Sequence, residues 1–370
     1  MRRSAAIDRN AWLKIALPTV VAVLALILIA SLMHSMIETP TYNPSVQKKA
    51  EEGCRMIDLG TLGGSMSAAF DINDNGLVVG YSLTEGDSAL HACVFHDGAV
   101  TDLGTLGGTA SRAWAINRAG QVVGESTLAQ STGRHAFLYT DGEMKDLGTL
   151  GGTSSSARDI NDLGQVVGES QIAGDMEMHA FLFTNGEMKD LGTLGGTMST
   201  ACGINNKGEV VGYSLVADGR TNHAFLRRNS VMTDLGTLGG SMSAAYRIND
   251  MGMVIGESYI NGDTALHAFL LADGSMQDIG TLGGGTSAAG DINGDGVVVG
   301  GAGLSDNNSN HAFLSHVGGR MVDLGTLGGV SRAYGINNAG HIVGISKTIQ
   351  RSGKAGPYRA FLWVPARRSR

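Results

Sequence analysis

The stretch Asp-Leu-Gly-Thr-Leu-Gly-Gly at residues 58–64 decides the fold, because it recurs six more times along the 370-residue chain. The sixth copy is slightly altered, with Ile279 in place of Leu. Successive copies begin 44, 44, 44, 44, 44 and 45 residues apart, at Asp58, Asp102, Asp146, Asp190, Asp234, Asp278 and Asp323. A fixed period of this length indicates an array in which one supersecondary unit is repeated.

Each period contains four short apolar segments separated by Gly, Asn or Asp. In the second copy they lie at residues 112–117, 121–126, 135–139 and 143–148, and we name them strands a, b, c and d. Short β-branched or aromatic runs between turn residues are typical of strands, and no stretch after residue 53 shows sustained helical periodicity. Four antiparallel strands in this length form one β-propeller blade. The sequence therefore predicts an all-β fold, a seven-bladed β-propeller of four-stranded antiparallel blades, over residues 54–364.

The two ends of the array lack complementary strands. The last copy of strand c has no strand d behind it, whereas the first strand d, at residues 56–60, has no strands a, b and c before it. We therefore expect residues 56–60 to pair beside residues 361–363 and to complete blade seven. Such closure removes free sheet edges. An open β-solenoid, the rival architecture, has no reason to begin with the strand that its last repeat lacks.

The N-terminal region predicts a membrane anchor. Residues 15–33 carry no charge and are close to the roughly 20 residues that span a bilayer as a helix. Residues 1–14 contain four basic side chains and one acidic one, so we expect them to be cytoplasmic, with the repeats periplasmic or extracellular. Residues 34–53 form a polar spacer and residues 365–370 a basic tail. A cleaved signal peptide remains the alternative, although no clear Ala-x-Ala site precedes Pro40.

The composition excludes some partners. The net charge of −7 argues against nucleic-acid binding, which requires a basic face. The 56 Gly residues lie at fixed places in the period, so they mark turns and not disorder. The three cysteines, Cys54, Cys93 and Cys202, are odd in number, and we expect no disulfide. The predicted propeller is monomeric, with the membrane and a protein or glycan as its expected partners.

The tripeptide His-Ala-Phe occurs in register in five copies, and the first and last copies depart from it at Cys93 and Arg359. Together with the Asp-Leu-Gly-Thr-Leu-Gly-Gly copies, it resembles the HAF repeat, an extracellular repeat family of bacteria. The resemblance covers about residues 54–364. It implies an exported or surface-attached protein and carries no defined activity.

Two turns between strands a and b are similar to the start of a calcium-binding loop, the one at Asp291 more closely than the one at Asp71. Asp291, Asn293, Asp295 and Gly296 follow the Asp-x-Asn-x-Asp-Gly spacing of oxygen-ligand sites. The later acidic ligand is missing, because residues 297–299 are all Val. We therefore expect an ordinary turn stabilised by Asn, with calcium at Asp291, Asn293 and Asp295 as the alternative.

Two repeated polar positions are also candidate sites. Equivalent His residues on different blades lie too far apart to share one ion at about 2.0–2.1 Å, so each is predicted to bond within its own blade. The repeated Asp residues are predicted to accept backbone N–H groups of the Gly-rich crossover, because an active site needs one set of unequal residues. The sequence predicts no catalytic, cofactor-binding or metal-binding residue beyond the calcium candidate. The repeated histidines are His91, His135, His179, His223, His267 and His311.

The loops between strands b and c differ in every copy, whereas the a–b and c–d turns are monotonous. Loops on a rigid scaffold carry binding, so we expect a membrane-anchored binding or scaffolding module that uses the b–c loop face. The alternative is a glycan-active hydrolase or lyase with its site at the propeller channel. An enzyme requires unlike polar groups from several blades in one pocket. The b–c loops are residues 83–90, 127–134, 171–178, 215–222, 259–266, 303–310 and 347–358.

Overall fold

The computed structural model describes residues 54–129, 133–306, 309–350 and 352–366. The predicted basic segment, anchor and spacer, residues 1–53, lie outside these ranges, as does most of the basic tail. The described chain is all-β, and its helical elements are 3₁₀ turns at Glu85–Asp87 and Asn261–Asp263. No helix within the described ranges has the length and apolar character needed to cross a bilayer.

The strands follow the order of the repeats and keep the letters a to d. Strands a are β2 (Gly63–Ile72), β6 (Gly107–Ile116), β10 (Gly151–Ile160), β14 (Gly195–Ile204), β18 (Gly239–Ile248), β22 (Gly283–Ile292) and β26 (Gly328–Ile336). Strands b are β3 (Val78–Thr84), β7 (Val122–Leu128), β11 (Val166–Ile172), β15 (Val210–Val216), β19 (Val254–Ile260), β23 (Val298–Leu304) and β27 (Ile342–Ile349).

Strands c and d complete each repeat, and the first strand of the array is of type d. Strands c are β4 (Leu90–His96), β8 (Arg134–Thr140), β12 (Met178–Thr184), β16 (Asn222–Arg228), β20 (Leu266–Ala272), β24 (Asn310–Ser315) and β28 (Ala355–Val364). Strands d are β1 (Arg55–Asp58), β5 (Ala99–Asp102), β9 (Glu143–Asp146), β13 (Glu187–Asp190), β17 (Val231–Asp234), β21 (Ser275–Gly280) and β25 (Val322–Asp323).

Each repeat pairs its strands antiparallel in the order a-b-c-d, as β6, β7, β8 and β9 do. Strand a is longer than predicted, because the Gly-Gly pair belongs to it instead of crossing between repeats. The N–H of Gly107 donates to Thr105 Oγ1 at 3.2 Å, and that hydroxyl donates to the Gly108 carbonyl at 2.9 Å. Strand d ends earlier than predicted, at Asp146, whose carboxylate accepts the Gly148 N–H at 2.7 Å and turns the chain.

The two ends of the array pair with each other, as their complementary defects indicate. β1 lies antiparallel to β28, in a register that places Ile57 opposite Leu362. The N–H of Ala360 donates to Ser67 Oγ at 3.0 Å, which is the contact that other repeats make with the repeat that follows. The first and last repeats are therefore joined by the same bonds as any two neighbours.

A ring of asparagines joins all the repeats at their a–b turns. The side-chain amide of each Asn donates to the backbone carbonyl of the next Asn, at distances between 3.0 and 3.3 Å. The last bond, from Asn337 to Asn73, closes the circle. Each Asn is at most 6% exposed, so these bonds are shielded from water. The members are Asn73, Asn117, Asn161, Asn205, Asn249, Asn293 and Asn337.

The hydrophobic core lies between neighbouring repeats. In one cluster, Ala115, Val123 and Ala136 of one repeat pack on residues such as Ile160 and Phe181 of the next. The last repeat packs on the first in the same way. Burial of this kind supplies most of the folding free energy, at about 25 cal/mol per Å² of apolar surface. The repeated Ala, Val, Ile and Phe positions of the motif are therefore accounted for by packing.

A repeated Gly in strand b allows strands a and b to lie close together. A Cβ atom on Gly124 would lie 1.9 Å from the carbonyl oxygen of Arg112. No side chain fits there without displacing the backbone of strand a, so the Val-Val-Gly pattern follows from the fold.

Candidate ligand site in the axial channel

The copies of strand a surround an axial channel. At the end formed by the a–b turns, the Ile-Asn pairs and the residues after them line a cavity of about 390 Å³. Residues from every repeat contribute to this lining. This cavity is lined by the repeated Ile-Asn pairs and the residue after each, at the a–b end of the channel.

Three positions in each repeat differ between copies although the sequence around them is repeated. The first lies between Ser and Ala of strand a, and holds Ala68, Arg112, Ser156, Thr200, Ala244, Ala288 and Arg332. The second follows that Ala, and holds Phe70, Trp114, Arg158, Cys202, Tyr246, Gly290 and Tyr334. The third follows Val-Val-Gly or its equivalent in strand b, and holds Tyr81, Glu125, Glu169, Tyr213, Glu257, Gly301 and Ile345. We call these the channel positions, because their side chains contact one another across neighbouring repeats.

Two of the three channel glutamates are held by arginines. Glu125 lies 3.0 Å from Arg112 and 2.9 Å from Arg134, which begins a strand c next to a b–c loop. Its side chain is only 6% exposed, so the two guanidinium groups compensate a buried charge. Arg134 also links the channel to the b–c face.

Glu169 has a similar environment in the next repeat. Arg158 contacts it at 2.6 Å, and the hydroxyl of Thr200 donates to it at 2.7 Å. Burial acts to raise the pKa of Glu169, but the Arg158 charge and the Thr200 hydrogen bond outweigh burial and lower it. Glu169 is thus held ionised.

Aromatic rings form a second group on the channel wall. Phe70 lies with its ring centroid 4.6 Å from that of Trp114 and 5.0 Å from that of Tyr334. Guanidinium groups lie over both ends of this row, Arg158 at 5.3 Å from the Trp114 ring and Arg332 at 5.3 Å from the Tyr334 ring. Apolar ring faces beside fixed cations suit a ligand that is flat or cyclic and carries negative charge.

The third channel glutamate, Glu257, forms no ion pair with an arginine of the described residues. The one hydrogen bond that its side chain forms in the described part of the chain comes from the Tyr246 hydroxyl at 2.5 Å. Burial raises the pKa of Glu257, against the lowering effects of the Tyr246 bond and the nearby charge of Arg332. Within the described residues, Arg332 and Glu257 form no ion pair, although the Arg332 charge acts to lower the pKa of Glu257.

A layer of three aspartates and one arginine lies next to the asparagine ring. Its members are Asp71, Asp159, Asp291 and Arg247. Each Asp accepts the N–H of the following Ile and the N–H of an Ile in the next repeat, as Asp291 does from Ile292 and Ile336, both at 2.8 Å. Burial raises the pKa of Asp71 to about 6 and that of Asp291 to about 7, although Arg247 acts to lower both. These carboxylates therefore link neighbouring repeats through backbone hydrogen bonds.

The side chains of two of the three calcium candidates take part in hydrogen bonds within the protein. Asp291 is bound to two backbone N–H groups, and Asn293 belongs to the asparagine ring. The Asn293 side-chain oxygen accepts the N–H groups of Asp295 and Val297, which makes the expected Asn-stabilised turn. Asp295 is exposed. Among the described residues no three His, Cys, Asp or Glu side chains are grouped as metal ligands would be.

The repeated His and Asp residues bond to each other within one repeat. In the second repeat, His135 Nδ1 lies 2.8 Å from Asp146, whose other oxygen receives the crossover N–H of Gly148. The same pair recurs in the other repeats that carry the His. The His therefore bonds within its own repeat, and the Asp accepts a crossover N–H, as the sequence predicts. Together these bonds connect strand c to the crossover.

The b–c loops are partly fixed by the fold. Asp87, Asp175 and Asp263 occupy one position in three of these loops, and each accepts an N–H from the start of its own strand a, at 2.6–2.7 Å. Variation in these loops is therefore less free than the sequence suggests. The channel positions also differ in chemistry between repeats.

Comparison with known proteins gives the fold class. No family model matches the sequence, and no curated protein matches it. Among solved structures, the β-propeller domain of the Trilobed protease from Pyrococcus furiosus is similar, with a TM-score of 0.51 and 11% identity, over 71% of this chain and 84% of that one.

Two further structures are more distantly similar. A gluconolactonase from Xanthomonas campestris has a TM-score of 0.42 and 10% identity, over 89% of this chain and 95% of that one. TolB from Acinetobacter baumannii has a TM-score of 0.39 and 10% identity, over 83% of this chain and 65% of that one. At such identities the likeness concerns the fold alone. The described chain is thus an all-β protein with a β-propeller fold.

Proposed function

We propose that this chain is a membrane-anchored, extracytoplasmic binding module, built as a closed seven-bladed β-propeller of the HAF repeat type. Residues 15–33 are the proposed anchor. The ligand site consists of the channel positions and the adjoining b–c face, and its ligand is an envelope polysaccharide. The observation that carries the proposal is the contrast within the chain: core and turn residues repeat, whereas unlike Arg, Glu and aromatic side chains collect in the channel.

Unpartnered polar atoms support a ligand in the channel. Of the five buried side-chain atoms without a hydrogen-bond partner in the described residues, three belong to channel positions. They are Trp114 Nε1, Ser156 Oγ and Arg332 Nε. Leaving such a group unbonded costs about 1–3 kcal/mol, and a bound polar ligand would remove that cost.

A glycan-active enzyme at the same channel is the second candidate, and the unlike polar groups favour it over a purely structural role. General acid–base catalysis needs carboxyl groups that can exchange protons. Glu125 and Glu169 are held by arginines, which leaves Glu257 as the channel glutamate free for such a role. One available glutamate is fewer than the pair used by most glycosidases, so we favour binding.

The proposal is tested by co-sedimentation of the full chain, in detergent, with insoluble cell-envelope polysaccharide. We expect Trp114→Ala to reduce the bound fraction at least about tenfold, because stacking of a ligand on an aromatic face contributes on the order of 1 kcal/mol or more. Tyr139→Ala is the matched control, since Tyr139 is also half-buried but packs in the core between repeats. Equal binding by the Trp114 and Tyr139 variants would place the site elsewhere.

A further inference from the structure

We infer that the channel contains a subsite for a uronic acid residue, in which Arg332 binds the sugar carboxylate and Glu257 binds a ring hydroxyl. This inference rests on the proposed function and specifies its ligand. It follows from the contacts of Arg332, from the single bond of Glu257 and from the small residues between them.

Arg332 is the channel arginine without a carboxylate partner. Arg112 and Arg158 each pair with a glutamate, whereas Arg332 forms no ion pair in the described residues. Its Nε is buried and has no hydrogen-bond partner. The Tyr334 ring holds the guanidinium group in place. A planar, fixed and unpaired guanidinium matches a carboxylate, which it can bind through two parallel hydrogen bonds.

The repeat beside Arg332 has small residues at all its channel positions. These are Ala288, Gly290 and Gly301. A Cβ atom on Gly301 would lie 3.0 Å from Cγ of Arg332, so the arginine stem lies over this glycine. Arg332 and Glu257 belong to the repeats on either side of this small repeat.

Glu257 has a carboxyl oxygen that is still able to form hydrogen bonds. The Tyr246 hydroxyl donates to one carboxyl oxygen, Oε1, and the other has no partner in the described residues. The equivalent of Glu257 in an earlier repeat, Glu169, accepts a hydrogen bond from Thr200 of the following repeat at 2.7 Å, whereas the same position beside Glu257 holds Ala288, which has no hydroxyl. A sugar hydroxyl can donate to a carboxylate or accept from a carboxyl group, so it suits either protonation state of Glu257.

Aromatic rings lie beside Arg332, where Tyr334 packs on Phe70 with ring centroids 5.0 Å apart. Small-molecule sites are typically lined by aromatic side chains with a few polar groups, and the proposed polysaccharide ligand makes a sugar the expected occupant. The neighbouring charges of Arg112 and Arg158 are neutralised by their own glutamates. Arg332 is therefore the residue that would favour a negatively charged ligand in this part of the channel.

The test is calorimetric titration of the full chain with galacturonate, its methyl ester, galactose and acetate. We expect galacturonate to bind at least about tenfold more tightly than its methyl ester, because the ester removes the charge that Arg332 pairs with. Arg332→Ala should abolish this preference, so that galacturonate and its ester bind alike, and a cooperative urea unfolding transition of the variant would show that it is still folded. Glu257→Gln should weaken galacturonate and its ester alike.

Gly301→Ala provides a second variant that keeps the arginine. The added methyl group should displace the Arg332 stem and reduce the preference for galacturonate, whereas Arg118→Ala, at the a–b end of the channel, should not. Equal binding of galacturonate and its ester by the unaltered chain would overturn the uronate subsite, and so would tight binding of acetate. If the envelope polysaccharide still co-sediments in a Trp114-dependent manner, the proposed function survives that result. If it does not, both proposals fail.

Discussion

Cysteines introduced by Ile57→Cys and Leu362→Cys are expected to form a disulfide that stabilises the fold by about 4 kcal/mol or more. The two residues lie directly opposite each other where β1 pairs with β28. Opposed residues of antiparallel strands have Cα atoms about 4.5–5.5 Å apart, within the range that a disulfide spans. The new bond closes a loop that contains nearly the whole repeat array, so it removes much entropy from the unfolded chain.

The crosslink is detected as a mobility shift on a non-reducing gel, and the gain in stability by urea unfolding with and without reductant. The native cysteines Cys93 and Cys202 are buried, and Cys54→Ser removes the third from the background. Ile57→Cys alone is the control and should behave like the background under both conditions. Absence of a crosslink in the double variant would show that β1 and β28, the two ends of the repeat array, do not pair.

Replacement of a ring asparagine has the second largest expected effect. Asn161→Ala should lower the free energy of unfolding by about 4 kcal/mol, because four hydrogen bonds of about 1 kcal/mol each depend on this buried amide. Its Nδ2 donates to the Asn205 carbonyl at 3.0 Å and to the Gln165 side chain at 2.8 Å. Its Oδ1 accepts the N–H groups of Leu163 and Gln165.

Urea unfolding of the purified variant measures this loss. Leu163→Ala is the matched control, since Leu163 lies in the same turn but is 69% exposed. An exposed substitution of this kind usually changes stability by less than about 0.5 kcal/mol. If the two variants have the same stability, the asparagine ring does not hold the repeats together.

Much of the fold could be predicted from the sequence, because the period and the turn residues are local signals. The all-β prediction is confirmed, and the pairing of β1 with β28 follows from the strands missing at the two ends. The start of strand a was predicted too late, since a Gly-Gly pair reads as a crossover. Hydrogen bonds to the Thr105 hydroxyl keep Gly107 and Gly108 in the strand. The anchor at residues 15–33 stays a prediction.

The residues of the proposed channel site could not be predicted, because they are the residues that do not repeat. Phe70 and Tyr334 are 264 residues apart in sequence, yet their rings are neighbours once the array is closed. The sequence shows that Cys202 and its equivalents are residues of different types. This difference looks like neutral variation until closure of the ring brings these residues together. The general signal was present: in a chain of near-identical repeats, the variable positions within strands mark the shared channel.

Fluorescence of Trp114 tests the central claim, that ligand binds in the channel, most directly. Trp12→Phe and Trp363→Phe leave Trp114 as the single tryptophan of the chain. Its indole lies between Phe70 and Arg158, and its buried Nε1 has no partner in the described residues. We expect a saturable change in its emission when soluble envelope polysaccharide is added. Unchanged Trp114 emission under conditions where the same polysaccharide binds the chain would contradict the account.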